Sequence, residues 1–152
     1  MKINLKKILI YIIVTFLIGN FFIFFVSTNN MYNGLNKPFV LPSIVFPIVW
    51  SILYLLMGIS AYLVSESNDI SKNNALKTYL VQLIVNSLWT LIFFGFRLYV
   101  IGFVWIILLI ILVIIMIVQF YRIKKIAGLL NIPYLLWLVF AAFLSFSIAL
   151  LN

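Results

Sequence analysis

Long apolar runs separated by short polar connections make up almost the whole of this chain. Five runs are long enough for a bilayer, because a helical span needs about 20 apolar residues to cross roughly 30 Å of hydrocarbon. They cover residues of about 8–27, 44–64, 77–96, 99–121 and 127–151. No run alternates as a barrel strand does, and backbone groups in lipid must be satisfied within their own segment. The pattern predicts an all-α membrane protein: a single domain, residues 1–152, with five transmembrane helices.

The first run is predicted to be a retained helix rather than a cleaved signal peptide. Lys2, Lys6 and Lys7 precede it, as basic residues precede a signal sequence, but the apolar stretch from Ile8 to Val26 is too long. The polar segment STNNMYN that follows offers no cleavage site between small residues.

The charges indicate how the chain is oriented in its membrane. Hydrophobic residues make up 67% of the chain and charged residues 8%, with a net charge of +8. Eight of the ten basic residues fall on the side of the N-terminus, leaving only Lys37 and Arg97 on the other. This bias predicts a cytoplasmic N-terminus, basic loops that meet anionic lipid headgroups, and no nucleic-acid partner. We expect an integral protein of a bacterial plasma membrane.

Several classes of chemistry lack the residues they need. The chain has no histidine and no cysteine, and its only acids are Glu66 and Asp69 in the loop SESNDISKNN. Metal sites, ion-coupled carriers and ordinary acid–base hydrolases are therefore disfavoured, because their ligands and proton relays are missing. We expect no metal, no resident cofactor and no conventional catalytic residue. What remains is recognition of an apolar molecule by aromatic rings and neutral polar groups.

Such groups recur along one face of three predicted helices. The faces contain Trp50, Tyr54, Gly58 and Ala61; Gln82, Asn86, Trp89 and Phe93; and Tyr134, Trp137, Ala141, Leu144 and Ser145. Trp137 lies about 15 Å into its helix, which is too deep for an interfacial belt. Asn86 is similarly deep, and both an interhelical hydrogen bond and a ligand contact fit its position.

The loop 28–43 separates the first two spans and contains Pro38 and Pro42. Proline holds the preceding residue extended and prevents a helix from continuing. The loop is long for a plain connector. We interpret it as a stiff lid over an aromatic-lined cavity.

Four ordered motifs resemble the TspO/MBR family, which comprises tryptophan-rich sensory proteins of bacteria and the mitochondrial translocator protein, or peripheral benzodiazepine receptor. They are MYNGLNKPFVLP, FPIVWSILYLLMG, QLIVNSLWTLIFFGFR and PYLLWLVFAAFLSFSIALLN. The lid departs from the family pattern, since Met31, Val40 and Ser43 stand where Trp, Trp and Pro are frequent. Trp105 stands where the fourth helix commonly has an acid.

The resemblance implies a commonly dimeric five-helix bundle whose pocket opens beneath the first loop. Family ligands are porphyrins, sterols and synthetic benzodiazepine-site drugs. Carried over to this chain, and with Trp89 added from the third helix, the ligand-binding residues are Tyr32, Pro42, Trp50, Tyr54, Asn86, Trp89, Trp137, Ala141 and Leu144.

The resemblance and the aromatic faces favour a receptor-like protein that binds tetrapyrroles and has a sensory or regulatory role. Porphyrin is then a ligand rather than a cofactor. Two alternatives stay open: a light-dependent porphyrin-degrading enzyme that uses Trp50 and Trp137, and a facilitator of tetrapyrrole or sterol-like transport. A homodimer is expected, and the small residues Ala141, Ser145 and Ala149 offer one surface for it.

Overall fold

The computed structural model describes residues 2–22 and 44–152, and the described part contains helices and no strand. The helices are α1 (Leu5–Gly19), α2 (Val45–Ser65), α3 (Lys72–Thr90), α4 (Tyr99–Ile123), α5 (Lys125–Leu129) and α6 (Ile132–Leu151), and a π-helical turn, Leu91–Gly95, extends α3. The all-α prediction is confirmed for these residues. The predicted lid, 28–43, lies outside them.

Four helical stretches in the described ranges are long and apolar enough to cross a membrane: Val45–Ser65, Lys72–Gly95, Tyr99–Ile123 and Lys125–Leu151. Their outer faces expose large apolar side chains, such as Ile52, Ile111 and Leu136, which are stable against hydrocarbon and costly in water. The protein is therefore an integral membrane protein. The 15 residues of α1 are about 22 Å long, and the end of the predicted first span, 23–27, lies outside the described ranges.

The start of α1 and the start of α3 differ from the predicted boundaries. α1 begins at Leu5 rather than near residue 8, because the side chain of Asn4 caps it by accepting from the Lys7 N–H at 3.2 Å. α3 begins at Lys72 rather than near residue 77. Its preceding turn is closed by Asp69, which accepts from the Ser71 hydroxyl and N–H, and these bonds lower the pKa of the Asp69 carboxyl.

The predicted loop 122–126 is almost entirely helical. α4 continues to Ile123, Lys124 alone is extended with φ −150° and ψ 117°, and α5 starts at once. The predicted fifth span, 127–151, is broken at Leu130 and Asn131, so α5 and α6 are separate helices.

The helices pack around one core, in which Met57, Leu83, Leu109 and Leu138 are almost fully buried. The closest helix pairs are α1 with α2, α3 with α4, and α4 with α6. A Cβ on Gly58 would lie 2.8 Å from the Ile12 Cα, so the backbones of α1 and α2 touch there. α2 and α6 do not belong to the closely packed pairs.

Most described basic residues lie at one end of the bundle. An ion pair between Lys7 and Glu66 joins the start of α1 to the end of α2, and Lys72 Nζ donates to the Ser65 carbonyl at 3.2 Å. Arg97, with φ 54°, lies at the other end, where the chain reverses between α3 and α4. This separation of charge is the one used to predict a cytoplasmic N-terminus, and that orientation stays a prediction.

Candidate ligand site

Aromatic rings from α2 and α6 meet inside the bundle. Trp50 packs against Tyr54, Tyr134 and Trp137, with ring centroids 5.5, 6.2 and 6.5 Å away. Phe46 meets Trp137 edge-on at 6.0 Å. These five residues form the aromatic cluster. Tyr54 follows Trp50 by one turn and Trp137 follows Tyr134 by nearly one turn, so each pair occupies a single helix face, as the sequence predicts.

Tyr54 connects this cluster to the end of α1. Its buried hydroxyl donates to the Gly19 carbonyl at 3.2 Å, satisfying one of the free carbonyls at the helix C-terminus. A Cβ on Gly19 would lie 2.6 Å from the Tyr54 ring, so the ring occupies the space of a missing side chain. Tyr54 thereby holds the last turn of α1 against α2.

Tyr134 joins the cluster to polar groups on α3. Its hydroxyl donates to Gln82 Oε1 at 2.8 Å and accepts from Asn86 Nδ2 at 3.0 Å. All three side chains are at most 2% exposed, so each depends on the others for its hydrogen bonds. The interhelical role considered for Asn86 is thus observed. Its contact with a ligand stays a prediction.

A second polar contact lies nearer the basic end of the bundle. Asn131, between α5 and α6, donates to Ser60 Oγ at 2.9 Å and to the Ala127 carbonyl at 3.0 Å. Ser60 in turn donates to the Met57 carbonyl at 2.8 Å. These bonds fix the start of α6 against α2, and Pro133 in the first turn of α6 has no N–H with which a helix could continue from α5.

Trp89, although predicted with the site, belongs to a different group of rings. It stacks on Phe93 at 5.3 Å and meets Phe94 edge-on at 5.7 Å, and among the described residues it has no ring contact with the aromatic cluster. Phe93 itself packs against Tyr99 and against Gly102 of α4. The structure therefore does not place Trp89 beside Trp50 and Trp137.

The remaining predicted site residues divide into two groups. Ala141 and Leu144 are buried on α6, one and two turns beyond Trp137 and on its face. Their small exposed fractions, 7% and 6%, show that they pack inside the bundle. Tyr32 and Pro42 lie outside the described residues.

Tyr134, Phe46 and Gln82 were not among the predicted site residues. Tyr134 and Gln82 do lie on the helix faces that the spacing identified, so the periodicity carried the necessary signal. Phe46 precedes Trp50 by one turn of α2, and the same spacing rule finds it.

An apolar groove opens between α2 and α6 on the outside of the cluster. Its volume is about 400 Å³. Trp137 belongs to both the groove and the cluster. The α2–α6 groove is lined by Val49, Ile52, Leu53, Pro133, Leu136, Trp137 and Phe140.

One hydrogen-bond donor at this place has no acceptor. Trp137 Nε1 is buried and unpartnered among the described residues. Leaving a buried donor unsatisfied costs about 1–3 kcal/mol. A carbonyl or carboxylate of a bound molecule would remove that cost. The site thus combines flat apolar surface with a single unused donor.

The comparisons with known proteins identify the family of this chain. Residues 8–151 match the TspO/MBR family. The chain belongs to the TspO/MBR family. It is 39% identical over 152 residues to the tryptophan-rich protein TspO of Archaeoglobus fulgidus, covering 98% of this chain and 99% of that protein.

Two further relatives of the TspO/MBR family are bacterial. Protein CrtK of Rhodobacter capsulatus is 35% identical over 130 residues, 83% of this chain and 81% of its own length. A tryptophan-rich sensory protein of Cereibacter sphaeroides is 34% identical over 122 residues, 80% and 76% of the two chains. The family and these names support a TspO-type membrane protein with a sensory or regulatory role.

Proposed function

We propose that this protein binds tetrapyrroles at the aromatic cluster and acts as a sensory or regulatory receptor in its membrane. One observation carries the proposal: three rings, those of Tyr54, Tyr134 and Trp137, lie within 6.5 Å of Trp50. A conjugated macrocycle gains about 0.5–1.5 kcal/mol per aromatic pair in addition to the area it buries. A flat ligand suits such a site better than a flexible one.

Stacking, rather than metal ligation, dominates the proposed binding. The chain offers no histidine or cysteine, the residues that bind haem iron most strongly. Metal-free protoporphyrin and haem should therefore bind with similar affinity. The unpartnered Trp137 Nε1 supplies a polar contact to either molecule.

A titration of the purified protein in lipid nanodiscs tests this proposal. Metal-free protoporphyrin and haem are added separately, and bound ligand is followed by absorbance. The proposal expects dissociation constants within about threefold of each other, a difference below 1 kcal/mol. Tight binding of haem alone contradicts stacking as the main contribution, and no binding of either contradicts the function itself.

A second candidate function is light-dependent breakdown of the bound porphyrin. It is favoured by the perpendicular packing of Trp50 and Trp137 at 6.5 Å, since either indole could give an electron to an excited ligand beside it. Dioxygen would be the oxidant of the net reaction. Illumination of the bound porphyrin in air tests it: a defined product must form, and a double variant Trp50→Phe, Trp137→Phe must not form it.

A further inference from the structure

The α2–α6 groove opens toward the bilayer rather than toward water. Both helices are among the described candidate spans, and Ile52 and Leu136 on its rim are 52% and 65% exposed. The seven lining side chains that the structure describes are apolar except for the indole N–H of Trp137. Water in this groove would have almost no hydrogen-bond partners, so we expect the groove to hold molecules that dissolve in hydrocarbon.

Within residues 2–22 and 44–152, the contacts between α2 and α6 at this seam are made by side chains. The backbones of α2 and α6 are not closely packed, in contrast with those of α4 and α6. Contact across the seam comes from ring pairs, including Phe46 with Trp137 and Trp50 with Trp137. Rotamer changes of such rings do not require helices to separate, so this seam is easier to open than its neighbours.

Trp137 lies at the boundary between the groove and the aromatic cluster. It lines the groove and also contacts Trp50, the central ring of the cluster. Its buried Nε1 is unpartnered in the described structure, so it offers a hydrogen bond to an incoming molecule that has already left water. A molecule in the groove therefore contacts Trp137, a residue of the aromatic cluster, before it reaches the other rings of the cluster.

We propose that the α2–α6 groove is a lateral portal through which the tetrapyrrole reaches the aromatic cluster directly from the bilayer. The inference rests on the proposed function and adds a route to it. The occupant is the ligand in transit: a flat apolar molecule with a carbonyl or carboxylate at its edge. Trp137 is the residue that it must pass.

Binding kinetics of metal-free protoporphyrin in nanodiscs test the portal. Val49→Phe narrows the groove at a half-buried position of α2, whereas Leu136→Ala widens it from the exposed side of α6. A portal controls both entry and exit, so Val49→Phe should lower the association and dissociation rates together by about fivefold, with an unchanged dissociation constant. Leu136→Ala should raise both rates.

Matched changes on α4 serve as controls. Ile107→Phe and Leu108→Ala make the same kinds of change in bulk on an exposed apolar surface of α4, 39% and 42% exposed, that does not line the groove. They should leave both rates as in the wild type. If the groove variants also show wild-type rates, or if only one of the two rates changes and the dissociation constant shifts with it, the portal is wrong although the binding function stands. If the wild-type protein binds no porphyrin, the proposed function fails first.

Discussion

Asn86 on α3 donates a hydrogen bond to the hydroxyl of Tyr134 on α6 at 3.0 Å. The same hydroxyl donates to Oε1 of Gln82, one turn earlier on α3, at 2.8 Å. One phenol thereby fixes two helices that are far apart in sequence. Because no water replaces such bonds inside a membrane bundle, the arrangement sets the position of the rings next to it.

Removing the Tyr134 hydroxyl should therefore weaken the fold. In Tyr134→Phe, Gln82 Oε1 and Asn86 Nδ2 both lose their partner. Interhelical bonds in membranes contribute about 0.6 kcal/mol each on average, so we expect a loss of about 1–2 kcal/mol. Thermal unfolding in mild detergent measures it. Tyr121→Phe, which removes a hydroxyl from a residue that is 45% exposed, should show no comparable loss.

The contact between α1 and α2 at Gly58 predicts sensitivity to a single methyl group. The Cβ of Gly58→Ala would lie 2.8 Å from the backbone Cα of Ile12, which a side-chain rotation cannot relieve. We expect the helices to move apart, at a cost of about 1–3 kcal/mol in unfolding free energy. Ser51→Thr, which adds a methyl group at an exposed position of the same helix, is the matched control. Equal stability of the two variants would contradict the close crossing.

The homodimer is a proposal for which the structure alters the expected interface. Ala141 and Ser145 are only 7% and 2% exposed, so they already pack inside the protomer. Two of the three small residues of the stripe are therefore already covered, and Ala149 is half-buried. We expect a dimer that persists in Ala149→Phe, measured by light scattering in nanodiscs or mild detergent. If this variant is a folded monomer, the dimer interface includes the small residues of α6 after all.

Hydropathy alone located most of the helices. α2 and α4 begin within a residue of the predicted positions, because long apolar runs leave little freedom in where a span lies. Helix periodicity likewise identified Trp50 with Tyr54 and Tyr134 with Trp137 as pairs on one face. These are local properties, and a sequence reports them well.

Interhelical contacts were harder to predict. Trp89 shares a helix face with Asn86, but the rings that it contacts depend on where α4 starts. Tyr99, the first residue of α4, packs against Phe93, and Phe93 in turn stacks on Trp89. The bond from Asn131 to Ser60 joins the start of α6 to another helix, and no local pattern indicates it. Helix periodicity predicts the direction in which a side chain points, but it does not predict which residue of another helix that side chain contacts.

The affinity of metal-free protoporphyrin for two single-tryptophan variants tests the central claim most directly. Trp50 is the central ring of the aromatic cluster, whereas Trp89 packs with Phe93 and Phe94 outside it. Titrations in nanodiscs compare Trp50→Leu and Trp89→Leu, after unfolding measurements have shown that both variants are folded. We expect Trp50→Leu to weaken binding by about tenfold, or 1.4 kcal/mol, and Trp89→Leu to bind as the wild type does. Equal losses in both variants, or a loss in Trp89→Leu alone, would contradict the aromatic cluster as the binding site.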